Sequence, residues 1–271
     1  MRRLEINIVS LAFIYFLFFI VVSCKRETVD SSICNSIPIH SDTYSYPVKP
    51  GDKEWSLLID GYQRIAVCQI PESTLKNIST FGLLESCVSN PLMTELIFSD
   101  LGGGGLQFAI EKLFINLNCL SELSQRPDAG HELLKRYILM NPSCVQSGAI
   151  DKGKFSNSYS EFEILFSQPV FLSSLNKQEL KELVNKALGV YTEKVKFSEY
   201  YSWVYGMNTS ALLIARTMVL LKYEPFILDK EKYIFIARFI ETSALPGNED
   251  DFKMLFNLII QHANNLISNM I

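Results

Sequence analysis

Three histidines, scattered carboxylates and one aromatic run are the material from which these 271 residues could build a site. "GHELLKRY" (130–137) comes nearest to a metal-binding helix, with His131 and Glu132 where a zinc protease has its first ligand and its base. That chemistry needs a second imidazole four residues on, so that both rings reach one metal, and Lys135 stands there instead. The other histidines, His40 and His262, are remote in sequence, so no metal and no cofactor is expected. Glu132 with Arg136 reads as an i,i+4 surface pair. "LGGGGLQF" (101–108) could aim backbone N–H groups at an anion from a helix start. It lacks the G-x-x-x-x-G-K-[ST] spacing and a preceding strand, and reads as a helix–helix joint.

Paired acids are the usual tool of an exported hydrolase, as in glycoside hydrolysis. Glu161 with Glu163 and the run Glu249, Asp250, Asp251 are the candidates. The first pair has i,i+2 spacing, which points the two side chains to different sides of a helix. The second group sits where a helix start favours negative charge. A serine nucleophile would need a positioned base, and neither G-x-S-x-G nor S-x-x-K stands in convincing context. No catalytic residue is assigned. "FSEYYSWVYGMN" (197–208) gathers Tyr200, Tyr201, Trp203 and Tyr205 before Gly206. Aromatic faces with polar tips stack on sugars and protein partners, so these four are the candidate binding residues. Packing at a helix corner is the alternative.

The elements that must position these residues are helices. Apolar residues at 55, 58, 59, 62, 65 and 66 predict one amphipathic helix within 54–71. "STFGLLESCVSNP" predicts a helix opened by a Ser-Thr cap and closed before Pro91. Further helices are expected over 92–101, 106–124, 128–140, 159–174, 177–196, 208–222, 229–243 and 249–269. Asn176 with Glu179 and Asn248 with Asp251 carry the reciprocal capping pattern. Strand alternation is scarce, so the fold class is all-α. Prolines 91, 142, 169 and 225 each follow a helical stretch, spaced 51, 27 and 56 residues apart. That punctuation predicts an irregular array of helical hairpins, a HEAT- or armadillo-like solenoid, with a compact α-bundle as the alternative.

The N-terminus decides the compartment. Arg2 and Arg3 precede an apolar run from Ile6 to Val22, between a secretory h-region and a membrane span in length. It ends in Val21-Val22-Ser23-Cys24, which resembles the lipobox of bacterial lipoproteins. The resemblance implies cleavage before Cys24, acylation of its thiol and a mature chain held on a membrane by lipid. An uncleaved signal anchor is the alternative. Lys25 follows Cys24, so the aspartate that retains lipoproteins in the inner membrane is missing, and the outer membrane is expected. Residues 1–23 are then a signal peptide, 24–52 a Ser-, Pro- and Thr-rich lipidated tether, and 53–271 an all-helical domain.

Loss of residues 1–23 takes Lys+Arg from 25 to 23 and Asp+Glu from 29 to 28, leaving a net charge of −5. Such a chain has no basic footprint for nucleic acid. Beyond Cys24 stand Cys34, Cys68, Cys87, Cys119 and Cys144, an odd set that leaves at least one thiol free or paired between chains. Cys68, Cys87 and Cys119 fall in apolar helical patterns and read as small buried residues.

Three segments, "CQIPESTLKNISTFGLLESCVSNPLM" (68–93), "GLQFAIEKLFINLNCLSEL" (105–123) and "RPDAGHELLKRY" (126–137), resemble an uncharacterised family of secreted bacterial proteins and lipoproteins. Gly82 stands where that family has an acid, and Pro127 precedes Asp128. The resemblance covers about a quarter of the chain and implies an α-helical secreted protein without adding a mechanism. The expected function is that of an envelope lipoprotein whose helical domain binds a protein or glycan partner without catalysis. An exported hydrolase whose acids meet only in the fold is the alternative.

Overall fold

The structure, a computed structural model, describes residues 34, 41–94, 105–147, 151–202 and 206–269. Among them the chain is all helical, with 14 α-helices, one 3-10 helix and no strand. The first helices are α1 (Lys53–Ser56), α2 (Gly61–Val67), α3 (Glu72–Asn77) and α4 (Thr80–Val88). Next come α5 (Gly105–Asn116), α6 (Asn118–Leu123), α7 (Ala129–Leu139) and the 3-10 helix Pro142–Gln146. They are followed by α8 (Lys152–Phe166), α9 (Pro169–Leu172), α10 (Lys177–Lys196) and α11 (Asn208–Leu220). The last three are α12 (Glu224–Lys232), α13 (Ile234–Thr242) and α14 (Glu249–Ser268). No helix of the described residues is long and apolar enough to cross a membrane.

Side-chain caps set several boundaries where the sequence predicts them. Ser79 Oγ accepts from Gly82 N and opens α4. Asn176 and Glu179 form the full reciprocal box at the start of α10. Asn248 Oδ1 accepts from Asp251 N at the start of α14, while the Asp251 carboxylate takes the Asn248 side-chain amide rather than its backbone N–H.

Four predicted helices are broken in two. The one within 54–71 divides because Asp60 starts a new helix, its carboxylate accepting from Gln63 N in front of the poor helix former Gly61. The helix over 106–124 divides at Leu117, where the Asn118 side chain bonds both the N–H and the carbonyl of Ile70 and draws the backbone out of the helix. Breaks before Pro169 and at Tyr233 divide the helices over 159–174 and 229–243. The segment predicted over 92–101 falls largely outside the described residues.

The prolines mark breaks, and Pro142, Pro169 and Pro225 occupy first-turn positions of the next helix, where a missing N–H costs nothing. The contacts, however, do not follow a nearest-neighbour stack. Every residue of α11 from Asn208 to Met218 is buried, and the helix touches α8, α9, α10, α12, α13 and α14. A helix buried all round is the centre of a packed body. α5 also packs on α13 and α10 on α14, pairings remote in sequence. These pairings do not confirm the expected solenoid, in which each unit meets only its neighbours, and they favour the alternative, the compact bundle.

The body also begins before Lys53. Asp42 accepts from Ser79 N, Tyr44 N donates to Ser86 Oγ, and Tyr46 is buried in the core. Apolar burial and these hydrogen bonds draw the end of the expected tether onto α4. Farther back, Cys34 is disulfide-bonded to Cys144 in the 3-10 helix.

Candidate functional site

Of the four sequence-derived binding residues, Tyr200 and Tyr201 fall among the described residues, and they differ in exposure. Tyr201 is wholly buried, with its hydroxyl donating to Pro142 O at 2.9 Å and its ring edge-on to Tyr159. It is a core residue, as the corner-packing alternative has it. Tyr200 is half-buried under the Lys152 ammonium, which lies 4.8 Å from its ring centre. Trp203, Tyr205 and Cys24 lie outside the described residues, as do residues 101–104 of the glycine-rich joint. His131 pairs with Glu179 at 2.6 Å, tying α7 to α10. Glu132 takes Lys135, and Arg136 turns inward to Glu85 of α4 instead of making the expected pair with Glu132. Among the described residues no cluster of three His, Cys, Asp or Glu could hold a metal ion.

What sequence reasoning missed is a buried ionic node around Glu163 of α8 and Lys194 of α10, both with fully buried side chains. Glu163 Oε1 accepts from Tyr137 Oη at 2.7 Å and Ser210 Oγ at 2.8 Å. Its Oε2 accepts from Lys194 Nζ and Thr209 Oγ1, each at 2.6 Å. The Lys194 ammonium also donates to Gly206 O at 2.9 Å and Ser210 Oγ at 3.0 Å. Four donors fill the carboxylate and three acceptors use every ammonium proton, so both charges are fully satisfied. Burial pulls the Lys194 ammonium down, and the Glu163 charge acts in the opposite direction. Burial, reinforced by Glu163, pushes the Tyr137 hydroxyl well up, which keeps it a donor.

Local sequence makes this geometry. Gly206 stands so close to Tyr201 that a Cβ would meet the Tyr201 Cβ at 2.9 Å and its backbone at 3.0 Å. Its carbonyl therefore reaches Lys194 just before α11 begins, and the first turn of α11 supplies Thr209 and Ser210. A serine 3.0 Å from a lysine resembles a Ser–Lys nucleophile pair. Here the lysine is held by Glu163 and the serine proton is spent on that same carboxylate, so neither is free to attack.

Two other polar groups are buried at helix crossings. Arg216 of α11 donates to Ile240 O, Ser167 O and Oγ, Gln107 Oε1 and Glu241 O, using all its N–H directions. Burial brings its guanidinium down to about 10. Cys87 of α4 and Cys119 of α6 are hydrogen-bond partners in the core, beside Tyr46, and Asn90 Nδ2 donates to Cys68 O at 3.0 Å. All three thiols are buried, as the sequence predicts, and none is in a disulfide. Burial pushes the Cys87 thiol well up, while the hydrogen bond with Cys87 pulls the Cys119 thiol down, and both sulfurs are sealed in the core out of reach of a reactant.

Glu161 is among the buried groups left open. It is 5 % exposed, its Oε1 has no hydrogen-bond partner, and burial raises its carboxyl to about 7, opposed by the Lys154 charge. Because this value lies above the ordinary 4.5, the folded state holds the proton longer than the unfolded chain. Stability is therefore full at low pH and falls as pH rises through the window from 4.5 to about 7, by on the order of 3 kcal/mol. Urea midpoints across that window should decline for the native protein and stay flatter for Glu161→Gln. Equal slopes would mean that the carboxyl is not held as described.

Glu249, Asp250 and Asp251 are exposed or half-exposed residues of the first turn of α14. They do what helix-start acids do, opposite the dipole and around the Asn248 cap. No family model matches this chain, and comparison with curated proteins and with solved structures gives no match.

Proposed function

We propose that the chain is a lipoprotein of the bacterial cell envelope, anchored through Cys24, with a helical domain that binds a protein or glycan partner and catalyses no reaction. The observation that carries the non-catalytic half is the closure of the Glu163–Lys194 node. The residues best suited to chemistry satisfy one another completely, which is the signature of a structural lock. Export is supported by the Cys34–Cys144 disulfide, because such bonds persist in oxidising compartments. Anchorage is supported by Val21-Val22-Ser23-Cys24, and the outer membrane by Lys25 in place of an aspartate. The three segments resembling a secreted helical family point the same way. Leu57, Ile59 and Tyr62, 65 %, 85 % and 85 % exposed at the α1–α2 corner, are apolar surface of the kind that interaction domains show.

Detergent-phase partitioning tests the anchor. The wild-type protein should enter the detergent phase with an acylated N-terminal Cys24 by intact mass, whereas Cys24→Ala should carry no acyl adduct and should keep Met1 and the apolar run of residues 6–22. Recovery of the wild type with Met1 intact and no acyl adduct would overturn the reading.

The exported-hydrolase reading draws on Glu161, a buried carboxyl near neutrality of the sort that serves as a general acid. Screening of the purified domain against glycans and peptides separates the two. Turnover abolished by Glu161→Gln would favour the hydrolase, and inertness across the panel favours the binding module.

A further inference from the structure

The disulfide determines how far the body can stand from its membrane. Cys34 is covalently joined to Cys144, and Cys144 sits in the 3-10 helix against α8 and α10. The chain from Cys24 to Cys34 reaches at most about 33–36 Å when fully extended. Without the disulfide the chain would first meet the body at Asp42, a reach of about 60–65 Å. The bond therefore nearly halves the leash and sets its attachment point on one face of the bundle.

That face has the composition of a membrane contact. Ile138 and Leu139, each 40 % exposed, end α7 just before the 3-10 helix. Pro142 in that helix accepts from Tyr201, the neighbour of Tyr200, and Tyr200 carries the exposed Lys152 across its ring. Lys154 stands exposed in the same first turn of α8. Aliphatic side chains leading into the 3-10 helix, and a tyrosine–lysine pair joined to that helix through Tyr201, are types that suit the boundary between acyl chains and anionic headgroups. The exposed Asp151 and Glu199 oppose the two lysines.

We infer that the Cys144 face, with Ile138, Leu139, Tyr200, Lys152 and Lys154, is held against the lipid surface by the short leash between Cys24 and the Cys34–Cys144 disulfide. The inference rests on the lipid anchorage proposed above and adds an orientation to it. The α13 face, where Ile234 is 82 % exposed, has no contact with the 3-10 helix among the main helix pairings and serves as the reference.

The test uses the acylated full-length mature protein on vesicles of phosphatidylethanolamine and phosphatidylglycerol containing brominated lipids. With the native tryptophans removed by Trp55→Phe and Trp203→Phe, a tryptophan introduced by Leu139→Trp should lose emission to the bromines, and one introduced by Ile234→Trp should not. Adding Cys34→Ser with Cys144→Ser to the Leu139→Trp protein should remove most of that quenching while flotation with the vesicles persists. Equal quenching at the two positions, or quenching unchanged by loss of the disulfide, overturns the inference and leaves the anchor standing. Failure of the acylated protein to float overturns both. The comparison of the two tryptophan positions needs no cysteine change, so it stands even if the reduced variant unfolds.

Discussion

Lys194→Met should lower unfolding stability by roughly 3–5 kcal/mol, because it leaves the Glu163 carboxylate buried without its countercharge. The remaining donors, Tyr137, Thr209 and Ser210, satisfy the lone pairs but do not neutralise the charge. Desolvation of the orphaned charge therefore outweighs the hydrogen bonds that survive. For a body of this size the loss corresponds to a fall of about 6–20 °C in Tm. Urea unfolding followed by helical circular dichroism measures it. The double variant Glu163→Gln with Lys194→Met should recover part of the loss, since exchange of a buried ion pair for neutral groups is often close to neutral. A cost below about 1 kcal/mol for Lys194→Met, the scale of an exposed ion pair, would mean that the node is open to solvent.

Loss of the Cys34–Cys144 disulfide should cost at least as much. The two cysteines are 110 residues apart, and closing a loop of that size in the unfolded chain is worth about 4–5 kcal/mol on the chain-entropy scale. The bond acts mainly on the unfolded state, so the native helices should remain when it is cut and the urea midpoint should fall. The measurement compares the oxidised protein with Cys34→Ser/Cys144→Ser, neither exposed to reductant. Identical midpoints would show that the bond does not form or does not restrain the chain. Substitution of Cys68, Cys87 or Cys119 should leave the disulfide intact, because these thiols are separate from it in the core.

The helical class, three of the side-chain caps and the burial of three thiols were legible in the sequence because each depends on residues within one or two turns. Ser79 reaches Gly82, Asn176 reaches Glu179 and Asn248 reaches Asp251, and such spacings are visible along the chain. Helix length was less legible. Asp60 and Asn118 break apolar patterns that look continuous, the second because its amide is occupied by Ile70, 48 residues away.

Only the tertiary structure decided which charges are inside. Lys194 in "EKVKF" resembles any solvated lysine, and the i,i+2 spacing of Glu161 and Glu163 tells that they diverge but not where either points. The partners of Glu163 lie 26, 31, 46 and 47 residues away, on α7, α10 and α11. Periodicity assigns a side chain to a face of its own helix, whereas the helix that meets that face is chosen by packing of the whole body. For the same reason the odd set of cysteines left the pairing open, and it was the fold that brought Cys34 to Cys144 and sent Tyr201 into the core.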